Sequence, residues 1–399
     1  MLRFAAGIGI IAFALVASHL SEAVDLFRFP IAWWGIVLAL DGAVRARHGS
    51  SPFGRPADFV VCALASVAFW DAFELLNLRL HDWWYVGVPR SALAGAAFSA
   101  ISYATVLPAV RLALALVAKP PGTERIVAIP ARPGTGWLLA GAGIAMLLAA
   151  LVAPRVAFPL AWIFLWPLCE AVLAGRRDDA PRLASPLQAL RAGRRDLPLR
   201  ALAVALPFGV AWESLNWGCS RGWVYTVPHF ERPKLFEMPI AGYLGYLPFL
   251  LECASALALV ERLRRNRGVW VLAIALFHVA ADGLGRGTTV LSVTPDVADV
   301  ASLSRGEREG LERRGLRTPK AILGASDVPD RVRRLSELAS VAHMGFFWAE
   351  RLETAQVWNR AALASAQDVA LWTRLAATGP APRPEVVRLW ISAAVRDSR

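Results

Sequence analysis

Apolar runs long enough to cross a bilayer recur along this chain, at about residues 2–20, 30–45, 58–78, 91–118, 136–153, 159–174, 200–217 and 238–261. A ninth, 268–284, is shorter and is interrupted by His278 and Asp282. A spanning helix takes about 20 residues. Lipid offers a peptide group no hydrogen-bond partner, so such runs fold as helices that satisfy their own backbone. The expected fold is therefore all-α: a polytopic membrane bundle. The first run follows Arg3 and has the shape of a secretory signal, but it has a counterpart later in the chain and reads as a retained spanning helix.

Charge supports the same reading. The chain carries 43 Lys and Arg against 31 Asp and Glu, a formal net charge of +12, on a background that is 56% hydrophobic with mean hydropathy +0.45. The surplus lies between the apolar runs, in "RARHGSSPFGRPAD", "AKPPGTERIVAIPARPG", "GRRDDAPRLASPLQALRAGRRDLPLR" and "ERLRRNRG". These follow the second, fourth, sixth and eighth runs, so all fall on one side if every run crosses. The positive-inside rule makes that side the cytoplasm, and the expected location is the plasma (inner) membrane. The four cysteines form no C-x-x-C pair and the six histidines are scattered, so neither a metal site nor a cofactor is expected.

The runs also repeat. "FPIAWWGIVLALD" (Phe29–Asp41) is matched by "FPLAWIFLWPLCE" (Phe158–Glu170), "FELLN" (Phe73–Asn77) by "WESLN" (Trp212–Asn216), and "YATVLP" (Tyr103–Pro108) by "YLGYLP" (Tyr243–Pro248). Trp84 and Trp223, then Pro89 and Pro228, stand at equal distances beyond the two Asn residues. The landmarks define two four-helix repeats, 1–118 and 136–266, joined by a cytoplasmic linker at 119–135. An even number of helices per repeat inserts both the same way up, which makes the repeats parallel. Residues 267–294 hold the ninth segment and a linker. Residues 295–399 are charged and helix-forming and read as a small soluble helical domain. There, "LERRGL…AILGASDV" is echoed by "LETAQV…AALASAQDV".

The candidate site residues are the polar side chains inside the runs. Glu74 with Asn77, and Glu213 with Asn216, lie at i and i+3 and so share a helix face. An ionisable group in a membrane helix costs at least about 2.5 kcal/mol on insertion scales and is expected to face protein or water. Three readings stand for these pairs: a proton donor or ligand contact, an interhelical hydrogen bond that fixes packing, or a position at the aqueous boundary. Trp84 and Trp223 suit an interfacial belt or the roof of a cavity. Tyr103 and Tyr243 lie in helices and need hydroxyl partners if buried. Glu252 is paired in this reading with Arg111 across the repeats, and His278 with Asp282 on the ninth segment. Asp41 and Glu170, close to Arg45 and Arg176, read as interfacial carboxylates paired to Arg.

The stretch "PFGVAWESLNWGCSRGWVYTVP…KLFEMPIAGYLGYLPFLLECASALALVE" resembles the repeating unit of the membrane-embedded, bacterial and fungal type of lycopene cyclase and related carotenoid-biosynthesis proteins. Trp212, Glu213, Trp223, Pro228, Pro239 and Glu261 fall at the matching points, and Phe73, Glu74, Trp84 and Pro89 match more loosely. The family's paired acids after the Pro of its third helix are replaced here by Ile240-Ala241-Gly242. The resemblance implies a cavity between repeats for a lipid-soluble, isoprenoid-like molecule. The tail, "GEREGLERRGLRTPKAIL", is similar to a tandem helix-hairpin-helix domain, a degenerate one with Gln356 where Gly315 stands in the first unit. Its near-balanced charge favours a protein partner over nucleic acid. The functional classes are therefore a lipid-ligand-binding or -processing protein, with membrane lipid around it, or a membrane anchor whose C-terminal domain recruits a partner. A transporter suits the repeats and the acids, but no run carries a broken-helix signature.

Overall fold

The computed structural model describes residues 1–86, 92–117, 132–174, 183–219, 221–225, 227, 229, 233–262, 267–285, 296–341, 344–379, 381–382 and 384–396. Pro89 and Pro228, two of the repeat landmarks, lie outside these residues, as does most of the linker 119–135. The chain divides into two compact units, one of Met1–Trp83 with Ser91–Thr288, the other of Trp84–Arg90 with Thr289–Arg399.

The first unit is a bundle of α1 (Leu2–Ala17), α2 (Arg28–His48), α3 (Pro56–Leu80), α4 (Ala92–Tyr103), α5 (Val106–Leu116), α6 (Thr135–Val152), α7 (Leu165–Ala174), α8 (Asp196–Asn216), α9 (Tyr246–Arg262) and α10 (Arg267–Gly285). Among the described residues, five helical stretches are long and apolar enough to cross a membrane: Arg28–His48, Pro56–Leu80, Ala92–Leu116, Thr135–Val152 and Ile240–Arg262. A sixth appears if Pro154–Trp162 and Leu165–Ala174, bent by 46°, count as one span. This is fewer than the apolar runs suggested, for local reasons. Helix α1 has 16 residues, and α8 carries Asp196, Arg200 and Glu213 within its length. The bend is itself a correction, because the run 159–174 reads as continuous in sequence. Pro159 and Pro167 each remove a backbone donor there.

Small residues set the closest helix packing. A Cβ on Gly7 of α1 would run into the backbone of Gly35 and Ala39 in α2, and one on Gly42 into the backbone of Phe4. Lipid does not drive apolar helices together, so close backbone approach of this kind supplies the association. Arg3 and Arg45 then close on Asp41 at 2.6 and 2.9 Å. Gly143 of α6 approaches α7 in the same way, its Cβ position 2.6 Å from Leu168 Cγ and 2.9 Å from the Phe164 carbonyl. Phe164 and Leu168 are the residues that stand opposite Gly35 and Ala39 when Phe158–Glu170 is laid on Phe29–Asp41. Glu170, whose expected partner Arg176 lies outside the described residues, is held by other groups. It accepts from the Ser185 and Ser255 hydroxyls (2.6 and 2.9 Å) and from the Leu187 amide (3.0 Å).

Two interruptions of a helix are closed by a side chain from a neighbour. Between α4 and α5, Ser66 of α3 donates to the Tyr103 carbonyl (2.5 Å) and accepts from the Leu107 amide (3.0 Å). At the start of α7, Glu252 of α9 accepts from the amides of Leu165 and Trp166 at 2.9 and 3.2 Å. Helix α10 is tied to α3 by His278 Nδ1 against Asp71 (3.1 Å) and to α4 by His278 Nε2 against the Ala96 carbonyl (2.8 Å). Ser99 stands between His278 and Asp282, its hydroxyl 3.4 Å from His278 Nε2 and donated to Asp282 at 2.9 Å.

The second unit is helical and contains two similar hairpins. In the first, α11 (Arg305–Arg313) turns through Gly315, φ +72°, into α12 (Pro319–Gly324). In the second, α14 (Gly345–Thr354), which follows α13 (Asp330–Ala339), turns through Gln356, φ +62°, into α15 (Arg360–Ala364). Thr318 and Asn359 cap α12 and α15 by accepting from Ala321 and Ala362. Leu316 and Val357 donate back to Leu311 and Leu352 at 2.9 Å each. Gln356 thus holds a left-handed conformation that the first hairpin gives to glycine. Gln356→Gly is expected to stabilise this unit by roughly 0.5–1 kcal/mol, and Gly315→Ala to destabilise it by a similar amount. Thermal unfolding of the full chain and its variants reads both.

Candidate functional site

Helices α3 and α8 end in the two Glu-Asn pairs, and all four side chains are buried. The amides are fully engaged with backbone. Asn77 Nδ2 donates to the Trp83 carbonyl (2.8 Å), and its Oδ1 accepts from the Asp82 amide (2.9 Å) and, more weakly, that of Trp83 (3.4 Å). Asn216 Nδ2 donates to the Trp223 carbonyl (2.8 Å), and its Oδ1 accepts from the Trp223 amide (3.0 Å). Each Asn acts as a one-residue strand partner that fastens the chain just after its helix. A Cβ on Gly222 would strike the Asn216 oxygen, so the approach needs glycine there. The clamp also corrects a correspondence. The residue held by Asn77 is Trp83, not Trp84 as the equal spacing implied.

The two carboxylates differ in their partners. Glu74 Oε1 accepts from the indole of Trp70 at 2.7 Å and that of Trp83 at 3.4 Å. Glu213 Oε1 accepts from the hydroxyls of Tyr225 and Tyr246 at 2.8 and 2.7 Å. Trp223 Nε1 donates to Tyr225 Oη at 2.9 Å, extending the chain of bonds. The difference arises one helical turn earlier. Trp70 precedes Glu74 by four residues, and Gly209 precedes Glu213 by four. A Cβ on Gly209 would lie 2.6 Å from the Tyr246 ring, so only glycine admits that ring to Glu213.

Next to this network lies a cavity of about 400 Å³. Its walls include Trp70 of α3, Phe208 and Trp212 of α8, Trp162, and Tyr246 and Phe249 of α9. The rings lock together across helices: Trp70–Trp212 centroids are 5.7 Å apart, Trp70–Phe249 6.1 Å and Trp162–Phe249 6.1 Å. Ala241 and Leu244, on the 3-10 helix Ile240–Gly245, line the cavity and are also exposed, Leu244 by 64%. The cavity therefore reaches the protein surface beside them.

Among the described residues, one carboxyl side chain lies directly on this lining. Asp82 is 1% exposed, and neither of its carboxyl oxygens has a hydrogen-bond partner. It follows α3, and the Asn77 clamp on its amide directs it inward. Burial pushes its carboxyl up to about 7. The second oxygen of Glu213 is likewise buried without a hydrogen-bond partner. Sequence reasoning passed over Asp82, because "HDWWYVGVP" reads as an interfacial loop. The one available signal was an acid adjoining the Asn-held tryptophan.

The remaining sequence candidates are placed elsewhere. Trp84 and Trp223 are buried rather than set in a surface belt. Tyr243 donates its hydroxyl to the Leu235 carbonyl at 3.2 Å. The Tyr103 ring packs beside Trp70 and His278. Glu252 does not meet Arg111, which pairs with Glu261 at 2.5 Å and donates to the Pro52 carbonyl at 2.9 Å. Of the expected acids, Glu213 is joined to the cavity wall through Tyr225 and Tyr246, and Glu74 through Trp70. The chain matches no known family model, no curated protein and no solved structure.

The Asp82 geometry has a stability consequence. A carboxyl whose folded-state value is raised binds its proton more tightly when folded, so its contribution is present at low pH and is lost as pH climbs from about 4 to about 7. Wild type should therefore lose on the order of a few kcal/mol over that window relative to Asp82→Asn. Denaturant unfolding in detergent at pH 4.5 and pH 8 tests the difference. Gly209→Ala should displace Tyr246 and cost roughly 1–3 kcal/mol through overpacking.

Proposed function

We propose that the first unit is a membrane-embedded receptacle for a lipid-soluble molecule, isoprenoid-like in its apolar character. The observation that carries this reading is the aromatic cavity with its opening at Ala241 and Leu244. Those residues belong to the apolar stretch Ile240–Arg262, whose outer surface would face acyl chains. A ligand would enter sideways from the bilayer. The cavity volume falls within the range of about 300–1,000 Å³ usual for small-molecule sites.

The same reading takes the unit as two parallel four-helix repeats in the plasma (inner) membrane, with the Arg-rich loops cytoplasmic. Support comes from the matched approaches of Gly7 and Gly143 and the matched clamps of Asn77 and Asn216. The resemblance to lycopene cyclases is consistent with this plan, with one relocation. Where that family has paired acids, this chain has Ile240-Ala241-Gly242 at the cavity opening, and the acid on the lining comes from Asp82. A transporter gains from the bent helix before α7, but the first amides of α7 are occupied by Glu252 rather than turned to a ligand.

A second reading makes the bundle an anchor and the C-terminal unit the working part. Its support is the exposure of Phe347, Trp358 and Val369 in that unit.

Purification from a carotenoid-producing host, followed by solvent extraction, separates the two. A bound apolar molecule should accompany wild type and be lost in Ala241→Trp, which plugs the opening. Recovery of equal amounts from both proteins, or none from wild type, would overturn the receptacle reading and leave the anchor.

A further inference from the structure

The polar groups on the cavity lining restrict what its occupant can carry at its head. Among the described residues, the lining contains Asp82 and no Lys, Arg or His. The hydroxyls of Tyr225 and Tyr246 are both donated to Glu213. Both oxygens of Asp82 are therefore acceptors without a donor, within a wall of indole and phenyl rings. A buried carboxylate is retained at reasonable cost only when it is paired and hydrogen-bonded. Aromatic faces present negative potential, which attracts a cation and repels an anion. Above about pH 7, where Asp82 is ionised without a partner, an anionic head, phosphate or carboxylate, would meet like charge and the wrong side of the ring quadrupole. A purely hydrocarbon occupant would leave Asp82 unpaired.

Building on the receptacle reading, we propose that the cavity selects an amphiphile with a protonated amine head, which Asp82 binds while the rings of Trp70, Trp162 and Trp212 surround it and the tail leaves past Leu244. The ammonium supplies two or three donors and no acceptor, which matches two open carboxylate oxygens. A hydroxyl supplies one donor and no charge.

The test uses the full-length protein in uncharged maltoside micelles, with bound probe counted by native mass spectrometry. Dodecylamine, dodecan-1-ol and dodecanoate share one tail and differ at the head. Dodecylamine should bind one per chain, roughly tenfold or more tighter than the alcohol, with dodecanoate weakest. Asp82→Asn should bring amine and alcohol to similar affinity, and Asp82→Glu, which keeps the charge, should retain the preference. Ala241→Trp should remove binding of both. Equal affinity of wild type for amine and alcohol, or an amine preference that survives in Asp82→Asn, overturns the ammonium assignment while leaving the receptacle intact. Failure of every probe on wild type, or binding unaffected by Ala241→Trp, overturns the receptacle and this proposal with it. The wild-type comparison of heads needs no variant to fold.

Discussion

A peptide group in hydrocarbon has no solvent to bond with, so a membrane chain must supply a partner wherever it leaves a helix. Much of the polar chemistry inside this bundle answers that requirement. Ser66 serves the break between α4 and α5, and Glu252 serves the start of α7. Asn77 and Asn216 serve the chain beyond α3 and α8. Side chains that look like catalytic candidates in sequence are in large part substitutes for water. An amide matches a peptide unit donor for acceptor, which is why Asn can hold both the N–H and the C=O of one tryptophan.

The cavity follows from this bracing. Because Asn77 pins the chain directly after α3, Asp82 has no freedom to turn outward, and its carboxyl is carried into an apolar wall. Because Asn216 pins Trp223, Tyr225 is brought over Glu213 and Tyr246 meets it from α9. The bonds that satisfy the backbone thus also decide which acids face protein and which faces the cavity.

The bundle class, the apolar helices and the burial of the Glu-Asn pairs were legible in the sequence, because composition and i, i+3 spacing report helix faces directly. The pairing of Asp41 with Arg45 was legible for the same reason, being local to one helix. What was not legible depended on distance in space rather than in sequence. Arg111 lies within reach of Glu261 and not Glu252, a matter of helix rotation that no spacing encodes. The bend before α7 was hidden because proline is common in membrane helices and marks a break only when a neighbour such as Glu252 accepts the freed amides. Asp82 was hidden because a residue after a helix looks exposed until its clamp is known. The equal spacing of Trp84 and Trp223 misled by one residue, since the turn after α3 is tighter than the turn after α8.

The contrast between Trp70 and Gly209 explains why the two carboxylates take different partners. At Trp70 an indole fills the turn before Glu74 and donates to it, with the Trp83 indole as a second, longer donor. At Gly209 the turn is empty, Glu213 must recruit Tyr246 from α9, and the space that a large side chain would have taken lets rings from several elements face one another. Trp70 then serves a second purpose as a wall of the cavity beside α8. A single position, bulky on α3 and bare on α8, thus decides which donors reach the carboxylate one turn later.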